Sequence, residues 1–582
     1  RVGADRARSV LDDADRHGGA APRVTRRSSA VQRLARAATT ARRGRPQPSH
    51  ALRRYRQYYE FARPGPTSLR TRSAALAYFE FHPVVSIIVA GDDTELAATL
   101  ASIAAQLYDR IEVLWCAPHP HTTSGATELE VRHVAVDGTM AERHNAGVDG
   151  ALGELCLCVR AGDRLERHCV FELVAALQGG ADAAYGDEDR LDERGEHTAP
   201  HLKPAVFGPE TQLSYDVCGA PLCVRTALLQ EVRFSASAAP VESHDLSLRL
   251  FEAGCRFEHV AGVLLNRPQH LDPDPADAAA ASVRVVRGAF VRRGLTASVE
   301  VGEFLPSVRY EVDPPSPPPS VAIVIPTRDR LDLLKACVES VTRSSTYPNY
   351  SIVICDNDSK EEATLRWLKD CGHQVVATPG PFNYARIVNK GVQATNADFV
   401  VTLNNDTTIA TERWLERLVG LCSMPQVGSV GVKLVYPSGR IQHEGVAIIP
   451  MPVHLSRDVN YAEPDRWLTS TRDAVAVTGA CSIVRSACWE LLGGLDESLA
   501  VAFNDVDFCL RLWRAGWRVV YTPEVVLGHH ESASRGDLHP LEDEALLIAR
   551  YDLFGDFVDP TVSPMVRQYT TRAELDVPAP GR

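Results

Sequence analysis

Five short segments of this 582-residue chain concentrate side chains that can move protons or hold cations. "IPTRDR" (325–330), "ICDNDS" (354–359) and "TLNNDTT" (402–408) each close a short apolar run of strand length. "FNDVDFCLRL" (503–512) sets Asp505 and Asp507 two residues apart ahead of an amphipathic helix, and "VVLGHHESASRG" (525–536) ends a strand on the pair His529–His530. A carboxylate at a strand end, such as Asp356, can accept a hydrogen bond from a base or a ribose. Asp406 is a hard oxygen ligand suited to Mg2+ or Mn2+, ions that bridge a diphosphate. Asp505 can take the proton of a hydroxyl group, whose own pKa lies far above neutrality. Each residue also has a plainer reading. Asp356 can be a turn residue, Asp406 can cap the segment at Thr407 or Thr408, and His529 can be a core histidine. Asp505 or Asp507 can be a helix N-cap, and the cap or another structural role suits Asp507 better.

The elements that would position these groups occur twice. "IEVLWCA" (111–117) lines up with "YSIVICD" (350–356), "NAGVDGALGELCLCVR" (145–160) with "NKGVQATNADFVVTLN" (389–404), and "HDLSLRLFEAGCR" (244–256) with "VDFCLRLWRAGWR" (506–518). The shared positions are apolar, Gly or turn residues. The polar ones differ: Ala117 stands against Asp356, Gly162 against Asp406, Ser243 against Asp505 and Asn266 against His529. This pattern predicts one working site in the second copy and one retired site in the first, with its metal and base positions empty. Short buried strands alternate with helices whose apolar face repeats at 3-4-3 spacing, as at Leu331, Leu334, Val338 and Val341, which predicts an α/β fold with a mostly parallel sheet covered on both faces. In such sheets ligands lie beyond the carboxyl ends of the strands. The expected organisation is an Arg-rich helical arm (1–82), a first α/β domain (83–306), a Pro-rich semi-rigid spacer (307–320), a second α/β domain (321–540) and a C-terminal helix with a tail (541–582).

Composition narrows the class. The 45% hydrophobic and 23% charged content is that of a globular chain, and no apolar run reaches the roughly 18–20 residues of a membrane helix. Residues 1–30 contain no apolar signal-peptide core. The fourteen cysteines are scattered and read as buried free thiols of a reducing compartment, and the histidines of "HPHTT" (119–123) have no zinc spacing. Net charge is −12, yet residues 1–80 hold 18 Arg and 6 Asp or Glu. An arm this basic can face an anionic membrane surface or an acidic protein surface; no nucleic-acid signature accompanies it. A nucleotidyltransferase would need a Gly-rich phosphate loop that "IPTRDR" lacks. A non-catalytic glycan-binding or scaffold role fits the first copy and not the second.

Nine blocks of the second copy, in order, carry a resemblance. "VAIVIPTRDR", "ICDNDS", "FNYARIVNKGV", "LNNDT", "SGRIQHEGV", "VTGACSIVR", "GGLDE", "FNDVDFCLRL" and "HHESASRG" resemble the signature blocks of family 2 glycosyltransferases of the GT-A fold; the first copy resembles the same family with eroded motifs. Tandem arrangements of this kind resemble bacterial O-antigen and surface-polysaccharide transferases. The resemblance implies a nucleotide-sugar donor, UDP- or dTDP-linked, a Mn2+ or Mg2+ cofactor and a glycan or lipid-linked glycan acceptor. The basic arm points to a cytoplasmic enzyme peripheral to the inner face of the membrane, and one base on the face opposite the leaving group implies inversion at the anomeric centre. By position the resemblance assigns Asp505 as the base, with Asn504 in place of a Glu beside it. Thr327, Arg328, Asp356, Asn389, Asn404 and Asn405 become donor contacts, Asp406 and His529 metal ligands, and Gly479, Ala480 and Asn504 acceptor-side residues. "NND" departs from D-x-D at Asn404, where a neutral hydrogen bond replaces a charge.

Overall fold

The computed structural model describes residues 50–121, 129–457, 466–530 and 540–565. Two sheets dominate it. The first runs Val131–Ala135, Ile111–Ala117, Val85–Ala90, Leu155–Arg160, Leu222–Arg225, Ala183–Leu191, Phe257–Pro268, Arg164–Leu165. The second runs Gln374–Ala377, Tyr350–Asp356, Val321–Thr327, Phe399–Leu403, Cys481–Arg485, Val427–Val435, Arg518–His529, Thr407–Ile409. The order is the same strand for strand. In both sheets the first four strands are parallel, the fifth is antiparallel to its two neighbours, the seventh is parallel to the sixth, and the short eighth is antiparallel to the seventh. The expectation of a mostly parallel sheet therefore holds for one half of each sheet, and the other half is mixed.

Local sequence explains the layering. The strands Val85–Ala90 and Val321–Thr327 are apolar apart from Ser86 and Thr327, and buried along their length apart from Pro326, as strands covered on both faces must be. One covering helix in each copy, Met140–Gly150 and Tyr384–Gln393, lies so close that a Cβ at Gly147 would come within 2.3 Å of Ile88, and one at Gly391 within 2.4 Å of Cys355. The glycine shared by the two copies is thus a packing requirement.

The boundaries read from the sequence need revision. Residue 306 falls inside the hairpin Ala297–Val301/Val308–Val312. Its residues Val299, Tyr310 and Val312 share one apolar core with Val286 and Phe290 of the first copy and with Ile323, Leu418 and Val430 of the second. The proline-rich stretch is not a spacer: the described residues from Tyr55 onward form a single compact unit. Between the copies, Arg518 grips Glu210 through Nε at 2.6 Å and Nη2 at 2.9 Å, and Asp473 accepts from the Thr211 N–H and hydroxyl at 3.0 Å. Beyond the helix Leu541–Tyr551 the chain returns to the first copy, where Val206 N–H donates to Pro560 O at 2.9 Å.

The basic arm also differs from expectation. The helices His50–Ala62 and Pro66–Ala75 break at Arg63–Gly65, as "RPGPTS" predicts. Their arginines face carboxylates of the first copy: Arg56 pairs with Glu196 at 2.6 Å, Arg63 with Glu166 at 3.4 Å and Arg72 with Glu172 at 2.6 Å. Two buried tyrosines anchor the contact, Tyr55 to Asp189 at 2.6 Å and Tyr59 to Glu166 at 2.5 Å. From residue 55 on, then, the arm docks on the protein's own acidic surface; residues 1–49 lie outside the described part. No described helix is long and apolar enough to cross a membrane. All fourteen cysteines are free, and twelve are buried.

Candidate active site

In the second copy the polar clusters meet at one end of the sheet, joined by a chain of short contacts. Thr327 and Asp356 are register partners at the ends of adjacent strands. Thr327 Oγ1 accepts from Asn405 Nδ2 at 3.0 Å, and the Asn404 N–H donates to Ala480 O at 2.9 Å. Gly479, next to Ala480, donates its N–H to Asp505 Oδ2 at 2.8 Å, and Gly479 O accepts from the Tyr384 hydroxyl at 2.9 Å. Asp505 Oδ1 takes the Val506 N–H at 2.8 Å. Two backbone donors therefore fix the half-buried Asp505 carboxylate at the N-terminal end of the helix Asn504–Arg514, where the helix dipole also favours negative charge. Asn504 is buried and donates to Leu499 O at 3.2 Å. Asp356 is half-buried; its Oδ1 receives the Ser359 N–H at 3.1 Å. Arg328 is exposed beside it.

The metal question rests on His529. Its Nδ1 lies 2.7 Å from Gln442 Oε1, an acceptor, so Nδ1 carries a proton, and in the neutral ring it is Nε2 that holds the lone pair. That lone pair faces Asp406 Oδ1 at 3.1 Å, and this buried oxygen has no hydrogen-bond donor among the described residues. A second proton on the ring or a cation relieves two acceptors held face to face. One imidazole and one carboxylate, with positions left for diphosphate oxygens and water, is a donor set that fits Mn2+ or Mg2+. Among the described residues no group of three or more His, Cys, Asp or Glu could hold a metal unaided. His530 is exposed and meets Asp406 only through its backbone N–H, at 3.0 Å. Sequence reasoning missed Gln442, although "SGRIQHEGV" contained it. It also missed His443 in the same block, whose Nε2 accepts from the Thr478 N–H at 3.4 Å. Burial, reinforced by His454 and Arg472, holds His443 well below the usual histidine range, so it is neutral there.

Two residues prove structural. Asn389 spends its amide on the Leu495 backbone, donating at 2.8 Å and accepting at 2.9 Å, and so clamps the "GGLDE" loop (493–497). Asn145 does the same to Phe234 in the first copy, at 2.9 Å both ways. Asp507 is fully buried and receives Arg511 at 2.7 Å, Arg550 at 2.5 Å and the Tyr551 hydroxyl at 2.8 Å. It is thus a tertiary ion-pair centre and not an N-cap, and Asp245–Arg249 repeats the helix pair at 2.8 Å in the first copy.

The first copy departs from the sequence reading at two points. Its register places Arg267, not Asn266, opposite His529: Glu188 faces Leu265 as Leu434 faces Leu527, and Asn266 falls against Gly528. The gapless alignment of 244–256 with 506–518, carried forward, gives the same pairing of Arg267 with His529. Nor is the base position empty. Gly219 N–H, the counterpart of Gly479 N–H, donates to Asp216 Oδ1 at 3.0 Å, and Ser243 holds Asp216 Oδ2 at 2.5 Å. The carboxylate has moved from the helix to the preceding loop. The donor side is erased, however. Thr327, Asp356 and Asn405 become Gly91, Ala117 and Ala161, and a Cβ at Gly91 would lie 2.9 Å from that of Ala161. Gly162, at φ +102°, cannot take an aspartate without strain, and its Cβ would lie 2.3 Å from Leu271.

The strand order and the polar strand ends define the second copy as a GT-A-type transferase domain. Residues 317–552 match the family model described as "Glycosyltransferase like family 2". Across both copies, the chain is 30% identical over 532 residues to the O-antigen biosynthesis protein RfbC of Myxococcus xanthus, covering 86% of this chain and 41% of that protein. It is 30% identical to the uncharacterized protein y4gI of Sinorhizobium fredii, with 83% and 57% covered. The chain thus spans about half the length of these curated relatives. A pre-mycofactocin glycosyltransferase of Mycobacterium tuberculosis is 29% identical over 37% of this chain and 44% of its own length. Similar solved structures include GalNAc-T7 with UDP, GalNAc and Mn2+ (14% identity, TM-score 0.33, 44% and 54% covered) and the Pyrobaculum calidifontis mannosyltransferase PcManGT with GDP-Man and Mn2+ (15%, 0.29, 46% and 79%). At such scores these two likenesses add nothing to the strand order.

Proposed function

We propose that the second copy transfers a sugar from a UDP- or dTDP-linked donor to a hydroxyl of a glycan or lipid-linked glycan, with inversion, in surface-polysaccharide synthesis. The observation that carries this reading is Asp505, held by two backbone N–H groups and linked through Gly479, Ala480 and Asn404 to Asp406. Asp505 receives the acceptor proton as the hydroxyl attacks; a positioned base of this kind contributes about 10²–10⁴-fold. A single base opposite the leaving group gives direct displacement, and no second carboxylate is needed as a nucleophile. Asp356, Thr327, Arg328, Asn404 and Asn405 line the donor side, and Gly479, Ala480 and Asn504 the acceptor side. Asp406 and His529, oriented by Gln442, hold Mn2+ or Mg2+, which when bound neutralises charge developing on the leaving diphosphate. Residues 1–49 supply peripheral contact with an anionic inner membrane face.

The test is nucleoside-diphosphate release from a panel of UDP- and dTDP-sugars, with Mn2+ and with EDTA. Release only with the metal is expected. Undiminished release in EDTA would overturn the metal assignment, and no release from any donor the transferase itself.

A further inference from the structure

The first copy contains a cavity of about 620 Å³ at the place where the second carries its site, within the size range of pockets that bind small molecules. Its wall includes Asp216 and Ser243, the relocated carboxylate and its hydroxyl partner, along with apolar and aromatic surface from Leu222, Phe234 and Phe304. Asp216 is held ionised: burial opposes its charge, but His244 and the bonds from Ser243, Gln212 and Gly219 outweigh it and keep the carboxyl below its usual range. His144 also lines the cavity. Its Nε2 donates to Val159 O at 3.3 Å, and its Nδ1 is closed off from the cavity, so the ring contributes wall and no acceptor. In the second copy the equivalent residue is Val388, one before the shared asparagine. A retired site would lose polar groups; this one has gained an imidazole and moved a carboxylate.

Charge decides what the cavity can hold. Three guanidiniums face it, and each is already matched: Arg160 with Glu242 at 3.4 Å, Arg190 with Glu188 at 2.9 Å and Asp272 at 2.8 Å, Arg267 with Asp163 at 2.7 Å. With Asp216 added, the carboxylates outnumber the arginines, which disfavours a diphosphate. The donor-side residues are gone as well. What remains is a set of fixed acceptors and donors around apolar ring-sized surface, the chemistry that holds a neutral ligand with many hydroxyls.

We infer that the first copy is a metal-independent binding site for a neutral oligosaccharide, with Asp216 accepting a hydroxyl proton and the apolar wall of Leu222, Phe234 and Phe304 covering a ring face. The site orients glycan for the enzyme without reacting with it.

The experiment is hydrogen–deuterium exchange of the full chain with neutral di- to tetrasaccharides containing rhamnose, galactose, mannose or N-acetylglucosamine, and separately with UDP with and without Mn2+. At least one oligosaccharide is expected to slow exchange at 215–220 and 240–246 in EDTA. Asp216→Ala should weaken this about tenfold or more, the scale of losing hydrogen bonds to a charged acceptor. Because Asp216 also ties its own loop, Phe304→Ala, which removes part of the apolar wall and leaves Asp216 untouched, serves as the second variant and should weaken binding several-fold. The inference is overturned by no protection of these segments by any sugar, by protection that both variants leave unchanged, or by protection from UDP in their place. The readout needs no turnover, so an inactive second copy would leave it standing.

Discussion

Replacing Asp505 with Asn separates the proposed base from a merely structural carboxylate, and the structure sets the size of each effect. Asp505 takes one N–H on each oxygen, Gly479 at 2.8 Å and Val506 at 2.8 Å. A carboxamide offers one oxygen, so its NH2 must face the other backbone N–H. Leaving that N–H unpaired costs about 1–3 kcal/mol of stability. If the carboxylate only held Gly479, turnover by the folded variant would fall by a small factor, since Gly479 is also held through its carbonyl by Tyr384. If it is the base, the loss is about 10²–10⁴-fold, or roughly 2.7–5.4 kcal/mol of transition-state stabilisation.

The assay is single-turnover transfer with saturating donor, alongside calorimetric donor affinity for the same protein. The expected result is kcat down by at least about a hundredfold with donor Kd changed less than about threefold, a loss confined to the chemical step. Asp505→Ser, which installs the first copy's residue, should behave alike. A variant that keeps more than about a tenth of wild-type kcat, or whose loss lies in donor affinity, would refute the assignment.

Two further outcomes are expected. Gln442→Leu should weaken Mn2+ activation about 10–100-fold without changing acceptor KM, because Gln442 fixes the His529 tautomer that presents Nε2 to Asp406; an unchanged Mn2+ titration would show that His529 holds no metal. Asp507→Ala should lower unfolding free energy in urea by about 2–4 kcal/mol, since it removes the buried acceptor shared by Arg511, Arg550 and Tyr551, although Arg511 keeps Leu492 O and Gly494 O and Arg550 keeps Asp496; a loss under about 1 kcal/mol would contradict that account.

Most of the fold was legible because its signals are local. The strands Val85–Ala90 and Val321–Thr327 announce themselves as mostly apolar runs, and the strand ends announce themselves by the residues that follow them. The duplication was legible for the same reason. What the sequence hid is spatial. The proline-rich stretch reads as a spacer by composition, yet it joins halves whose shared core runs through Tyr310 and Val312.

Asp216 shows the limit most directly. A comparison of positions finds a serine against Asp505 and concludes that the carboxylate is lost. A comparison of hydrogen bonds finds the same backbone N–H, Gly219 for Gly479, still capped by a carboxylate supplied from another loop. The duplication also works in the opposite direction. Asn389 and Asp507 carry the residue types of a site, but Asn145 and Asp245 keep the same bonds in a copy without the donor residues. What both copies keep, the fold requires; what only one keeps, Asp356, Asp406 and His529, is free to serve chemistry.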